Sequence, residues 1–558
     1  MRPPPGLKLH VAPLARLPVA IGAIAFVFLG VFLVYPLWCV LSASVLTADG
    51  SAFTLQNYAR VLSRSYYRAS ILNSLTIGTL ASLTTTLIAL PLAIGIARLE
   101  IRGKLVLIGL AALPLILPSF VGAYALLLLF GRSGLITQML NAWGIPIGSI
   151  YGTPGIVLVY TMTLYPYVLL PTVAALKAVD RSVEEAAESL GSTPARTFRT
   201  VTLPLVAPSV LSGALLVLIE TLENFGVPAV LAEDKTILAV EAYKLFIGET
   251  ATNPAAAAVL GSLLIALTAL ILLIQRRYIA GRSFATGARR VPPPIKLTAP
   301  WHILATLYCW GVVLLALVPF FAILTLSFLE FRGPVLHRAF SLGNYAELFS
   351  TASGPLANTL ILASLAAGLA GLIGVPVGWV LARTRSSLTS VLDVVSTLPF
   401  AIAGTVLAIG LVIAFNSGGL VLTGGWLIIV IAYTVRKLPF TVRASSGIVH
   451  QLDPALEEAS VSLGVSPLAT FLRLTVPLML GGIVSGLVLT WVTLASELSS
   501  TVVLYSGPWR TLTVVMFQAL EGTGAGVAVA AASVLIGIAL IPVLIAYRLL
   551  RANELSML

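Results

Sequence analysis

The chain has 558 residues, of which 58% are hydrophobic and 10% charged, with a formal net charge of +12. Soluble domains run at about 45–50% apolar and about 25% charged, so this composition excludes an ordinary soluble globular protein. The basic excess raises the question of a nucleic-acid partner, which the placement of the cations answers in the negative.

Apolar blocks of about 20 residues or more are read as spanning helices, because backbone amides in lipid must be satisfied within their own segment. In chain order twelve are expected, at about 20–42, 70–97, 105–130, 154–177, 205–231, 255–275, 302–328, 357–382, 391–415, 424–446, 478–504 and 525–547. The first block is longer than the roughly 7–15 residues of a signal h-region and is followed by many more spans, so it reads as a retained helix. Cys39 and Cys309 lie inside spans as small hydrophobes, with no disulfide framework or metal-ligand spacing. His10, His302, His337 and His450 are scattered, so no bound catalytic metal is expected.

With both termini inside, most Lys and Arg residues fall on the cytoplasmic side. They include Arg98, Arg102, Lys104, Arg276, Arg277, Arg282, Arg289, Arg290, Arg383, Arg385, Arg548 and Arg551. This distribution accounts for the charge without nucleic acid and leaves membrane lipid as the surroundings. Arg60, Arg64 and Arg68 run against the rule, in an external segment. They read as a docking surface for a periplasmic protein or, more blandly, as a solvated helix face. The expected fold is all-α: a polytopic, multi-pass inner-membrane protein.

The chain repeats itself. Phe53-Thr54-Leu55-Gln56-Asn57-Tyr58 returns as Phe340-Ser341-Leu342-Gly343-Asn344-Tyr345. Pro91, Ala97-Arg98 and Leu113-Pro114 return at an offset of 285 as Pro376, Ala382-Arg383 and Leu398-Pro399. Beyond them the offset becomes 273, because the first half has a longer external stretch around Gly131–Thr153. The Arg-, Gly- and Pro-rich segment 276–300 reads as a cytoplasmic linker. Two lobes are expected, 1–290 and 291–558, each with six spans. An even number makes them parallel repeats, as some secondary transporters also have. Duplication alone does not say what powers transport.

The closest match between halves is polar. Asp180, Glu184-Glu185-Ala186-Ala187, Gly191, Pro194 and Pro204 return without a gap as Asp453, Glu457-Glu458-Ala459-Ser460, Gly464, Pro467 and Pro477. Asp180 and Asp453 are N-caps, with Pro454 at the favoured first helical position. The glutamates lie near the positive helix end, and Gly191 and Gly464 terminate the helix. Thr193-Pro194 and Ser466-Pro467 then start a second short helix. The expected product is helix, glycine corner, helix, with Ala186, Ala187 and Leu190 available to pack.

Glu-Glu-Ala-Ala/Ser followed after three residues by Gly resembles the EAA loop of binding-protein-dependent ABC importer permeases. The resemblance extends over about 69–275 and 353–546. It implies that Glu184, Glu185, Ala186 and Gly191, with Glu457, Glu458, Ala459 and Gly464, form coupling helices that contact a cytoplasmic ATPase. It also implies two ATPase copies and a periplasmic binding protein. The chain has no Gly-x-x-x-x-Gly-Lys-Ser/Thr phosphate loop, and Gly418-Gly419 and Gly424-Gly425 sit in or beside spans. No cofactor is expected on this chain, no catalytic residue is assigned, and ATP with Mg belongs to the partner.

Charged groups inside spans are functional candidates by default. Glu220, Glu223 and Asn224 lie in the fifth expected span and Glu497 in the eleventh. At offset 273, Glu223 aligns with Ser496 and Asn224 with Glu497. These groups read either as lining for a cationic pathway or as hydrogen-bonded between helices. The fused, duplicated arrangement most resembles permeases of the ferric-iron importer group. Thiamine, polyamine and aminoethylphosphonate importers are the alternatives within the class, an ion-gradient-driven transporter or a membrane-embedded enzyme outside it.

Overall fold

Long apolar runs bounded by polar turns become helices in this computed structural model, which describes residues 12–47, 51–146, 148–248, 253–280, 298–333, 335–522 and 524–556. His10, Arg282, Arg289, Arg290 and the expected lobe boundary at 290–291 lie outside the described residues. Among the described residues, ten helices are long and apolar enough to cross a membrane, and an eleventh span is formed if one bent pair is counted. Helix also covers the remaining expected span, as Trp426–Val449. Its Arg436, Lys437 and Arg443 lower its hydropathy below that of the other spans. A two-stranded hairpin, Leu329–Arg332 with Val335–Phe340, is the exception to an all-helical fold.

Two expected spans are not continuous. The block expected at 105–130 forms Lys104–Ala112, a tight turn over Leu113–Leu115 and then Ser119–Phe130. Its counterpart forms Ser387–Thr397, Leu398–Ala401 and Gly404–Phe415, with a bend of 108°. Pro114 and Pro399 sit in the turns, where proline withholds an N–H and its ring displaces the carbonyl four residues back. The fifth and eleventh blocks break as well. Leu203–Glu223 is followed by Gly226–Leu231, and Val476–Ala495 by Thr501–Leu504. Hydrophobicity runs through all four breaks, so composition alone does not reveal them.

The chain divides into two compact units that interleave the sequence halves. One comprises Met1–Ser42, Thr351–Val515 and Gly537–Leu558, the other Ala43–Ser350 and Met516–Ile536. In the first of these, Phe32 packs on Phe415 with ring centroids 5.7 Å apart. In the second, the Tyr308 hydroxyl donates to the Ile88 carbonyl at 2.9 Å.

The repeated Asn-Tyr motif has a structural role. Asn57 donates to the carbonyls of Ser44 and Leu46, and Asn344 to those of Ser327 and Leu329. Tyr58 and Tyr345 hydrogen-bond Ser262 and Ser533 at 2.7 and 2.9 Å. Each motif ties the end of its half's first helix to that half's last. Arg60, Arg64 and Arg68 are solvent-exposed.

Candidate functional site

The two polar segments fold alike. The first is a helix over Arg181–Ser189, capped by Asp180, whose carboxylate accepts from the Ser182 N–H at 2.9 Å. The second is Pro454–Ser462, where Asp453 accepts from the Ala455 N–H at 2.9 Å. Both end in a Schellman motif. Ser192 N–H reaches the Ala187 carbonyl and Val465 N–H the Ser460 carbonyl, at 3.1 and 3.2 Å. Gly191 and Gly464 have φ of +86° and +87°, the left-handed region that side chains avoid. Open space surrounds both glycines, so backbone conformation rather than crowding selects the residue.

After each corner come short helices, Pro194–Thr197 and Pro467–Thr470, capped by Thr193 and Ser466. Each runs into a single wide turn of π-helix, Phe198–Thr202 or Phe471–Thr475. Pro204 and Pro477 lie just beyond and lack the N–H that a tighter ladder would use, which favours the bulge there.

The paired glutamates of each segment part company. Glu185, Glu458, Ala186 and Ala459 are exposed. Glu184 instead accepts two hydrogen bonds from Arg98, at 2.7 and 3.2 Å, and one from the Thr202 hydroxyl at 2.7 Å. Glu457 accepts from Arg383 at 3.1 Å, from the Trp379 indole at 3.1 Å and from the Thr475 hydroxyl at 2.9 Å. Arg383 also donates to the Leu452 carbonyl at 3.1 Å. Leu190 and Leu463 stand at the corners with 90% and 86% of their surface exposed, so neither packs on its own chain.

The Ala187-to-Ser460 difference between copies has a consequence. The Ser460 hydroxyl lies 2.9 Å from that of Thr470, while the Thr197 hydroxyl, opposite Ala187, is buried with no partner.

The second cluster lies at the broken fifth and eleventh spans. Asn224 caps the helix beyond the first break, accepting from Val227 N–H at 3.0 Å and donating to Ser119 at 3.0 Å. Glu497 caps the second, accepting from the Ser500 N–H at 3.1 Å and hydroxyl at 3.2 Å. It is also ion-paired with Arg436, both side chains being only 6% exposed. Glu497 thus enters any pathway as half of a neutral pair. Glu223 is buried, Glu220 is half-buried and hydrogen-bonded to Tyr167, and the Ser496 hydroxyl is buried without a partner.

Sequence reasoning weighed only the acids and passed over Arg436, Gly404 and Ser119. It also assigned Arg98 and Arg383 to membrane topology alone, although their return at the repeat offset was a signal available in the sequence. Among the described residues, no group of three or more His, Cys, Asp or Glu is arranged to hold a metal ion.

A duplicated bundle of apolar helices with two capped elbows outside the spans defines a transport protein rather than an enzyme. Residues 89–283 and 374–555 both match the family described as binding-protein-dependent transport system inner membrane component, and the chain belongs to that family. It is a multi-pass inner-membrane permease subunit of an ABC importer. It is 30% identical over 533 residues to the ferric transport system permease protein FbpB of Actinobacillus pleuropneumoniae, covering 92% of this chain and 76% of that one. A putative ferric transport permease of Haemophilus influenzae is also 30% identical, over 86% of this chain and 76% of its own. The spermidine/putrescine permease PotB of the same organism matches at 30% over 39% of this chain and 78% of its own. Membership implies a periplasmic binding protein and an ATPase as partners.

Proposed function

We propose that the chain supplies both halves of the translocation path of a ferric-iron importer, with the two elbows as its coupling helices. The observation that carries the coupling reading is the pair of exposed leucines, Leu190 and Leu463, held at identical glycine corners 273 residues apart. Exposed apolar side chains at a rigid, polar corner suit a groove on a partner. Two elbows call for two ATPase copies, one each, with ATP and Mg bound there and no cofactor on this chain. Both termini are then cytoplasmic, as the cation distribution favours, and the sequence repeats 1–290 and 291–558 act as the two lobes.

Glu185, Ala186 and Gly191, with Glu458, Ala459 and Gly464, form the coupling face, while Glu184 and Glu457 support it from behind. Closure of the ATPase dimer on nucleotide moves the elbows and biases the lobes between inward and outward openings. Nucleotide can do this only by binding more tightly to one state than the other. Glu220, Glu223, Asn224, Ser496 and Glu497 are the polar groups proposed beside the path. Iron is favoured because the relatives matched along most of this chain carry ferric transport in their names, whereas the spermidine/putrescine relative matches less than half of it.

Uptake into vesicles containing the chain, its ATPase and its binding protein tests this. ATP-dependent accumulation of ferric iron is expected. Accumulation of thiamine or spermidine without iron would overturn the substrate. Uptake driven by an ion gradient without the ATPase would overturn the importer mechanism.

A further inference from the structure

We propose that Arg98 and Arg383 are positioning residues for coupling, each fastening its elbow to the end of one span so that elbow movement enters the bundle there. The inference rests on the coupling reading above. It goes further by naming the mechanical link.

Each elbow carboxylate is a three-way junction. Glu184 belongs to the elbow, Arg98 ends the helix Ser65–Arg98, and Thr202 closes the π turn that leads into Leu203–Glu223. In the second half Glu457, Arg383 at the end of Gly343–Arg383, and Thr475 ahead of Val476–Ala495 make the same junction. Trp379 adds a donor to Glu457 in the second half. At the equivalent position the first half has Ile94, and there Arg98 reaches the carboxylate with two nitrogens. Both halves therefore saturate the carboxylate, by different means.

Burial makes these ties stiff. Arg98 and Glu184 are 6% and 14% exposed, Arg383 and Glu457 14% and 16%. An exposed pair is weakened by solvent and salt, whereas a largely buried one with every acceptor used is held in one geometry. A carboxylate so engaged is not available to a partner's surface. The glutamate that faces outward, Glu185 or Glu458, is the one left for that task. Membrane topology by itself would need only a cation at these span ends, and lysine would serve. A guanidinium with two aligned nitrogens is what the junction uses.

The test uses the complete complex, with ATPase and binding protein, in proteoliposomes, and reads solute transported per ATP hydrolysed. Arg98→Gln and Arg383→Gln should leave the ATPase co-purifying and hydrolysing, because the elbow tips are untouched. The transport-to-hydrolysis ratio should fall at least about 5-fold, the lower end of ordinary site-to-site coupling. Exchanging the charges, Arg98→Glu with Glu184→Arg, should recover part of the ratio. Thr202→Val and Thr475→Val, which strand no charge, should lower it less and so cover the case in which an arginine variant fails to fold. An unchanged ratio in all of these variants would overturn the proposal. Loss of ATPase from the arginine variants would overturn it in favour of direct docking. A wild-type complex that binds no ATPase would sink the coupling reading and this inference together.

Discussion

At the break in the first half, Asn224 caps the following helix and bonds Ser119, while Thr163 nearby donates to its own helix at the Val159 carbonyl, 2.8 Å away. At the same places in the second half stand Glu497, Gly404 and Arg436, at offsets of 273, 285 and 273. A Cβ added to Gly404 would come within 2.5 Å of the Arg436 guanidinium, so the glycine is what admits the arginine. One half thus holds its break with neutral hydrogen bonds, the other with a buried ion pair. The three positions change as a set. Shape is conserved across the duplication while charge is not, and a buried charge is tolerated only where its partner and its space come with it.

The largest expected effect breaks this comparison from the second half. Glu497→Leu strands Arg436 and should destabilise by about 3–5 kcal/mol, against about 1 kcal/mol for Asn224→Leu in the first half. Thermal unfolding in detergent measures both. The joint replacement Gly404→Ser, Arg436→Thr and Glu497→Asn, which copies the neutral set, should cost less than Glu497→Leu alone. A larger cost would show that the three positions are not a unit.

Next in size, Gly404→Ser by itself crowds the guanidinium and should cost about 1–3 kcal/mol. Its mirror, Ser119→Gly, removes one neutral hydrogen bond and should cost about 1 kcal/mol. At the elbows the two halves should instead respond equally. Gly191→Val and Gly464→Val force a side chain into the left-handed region, at roughly 1–2 kcal/mol each, and should reduce ATPase retained on purification by similar amounts. The smallest effect is a gain. Ala187→Ser offers the Thr197 hydroxyl the partner that Thr470 already has, worth about 0.5–1.5 kcal/mol, and should slow amide exchange through the first elbow.

Particular residues show where sequence reading succeeded. Asp180, Gly191 and Pro194, with their copies, dictate caps and a corner by local chemistry, so the elbows were legible to the residue. The spans were legible from hydropathy, but their breaks were not. Pro114 and Asn224 interrupt helices inside blocks whose apolar composition continues on both sides. Which of two adjacent glutamates faces inward was also hidden. Neighbours on a helix differ by about 100° around the axis, and only the position of Arg98 decides which carboxylate is drawn in. The interleaved units depend on packing between distant segments, to which a repeat offset is blind.

The central claim is that the glycine corners seat on a separate ATPase, and the most direct test is cross-linking from their tips. Cysteine placed at Leu190 and at Leu463 should cross-link to the ATPase in the assembled complex, with cysteine at exposed Phe53 giving none. Efficient cross-linking from Phe53, or none from either corner in a complex that still transports, would contradict the account.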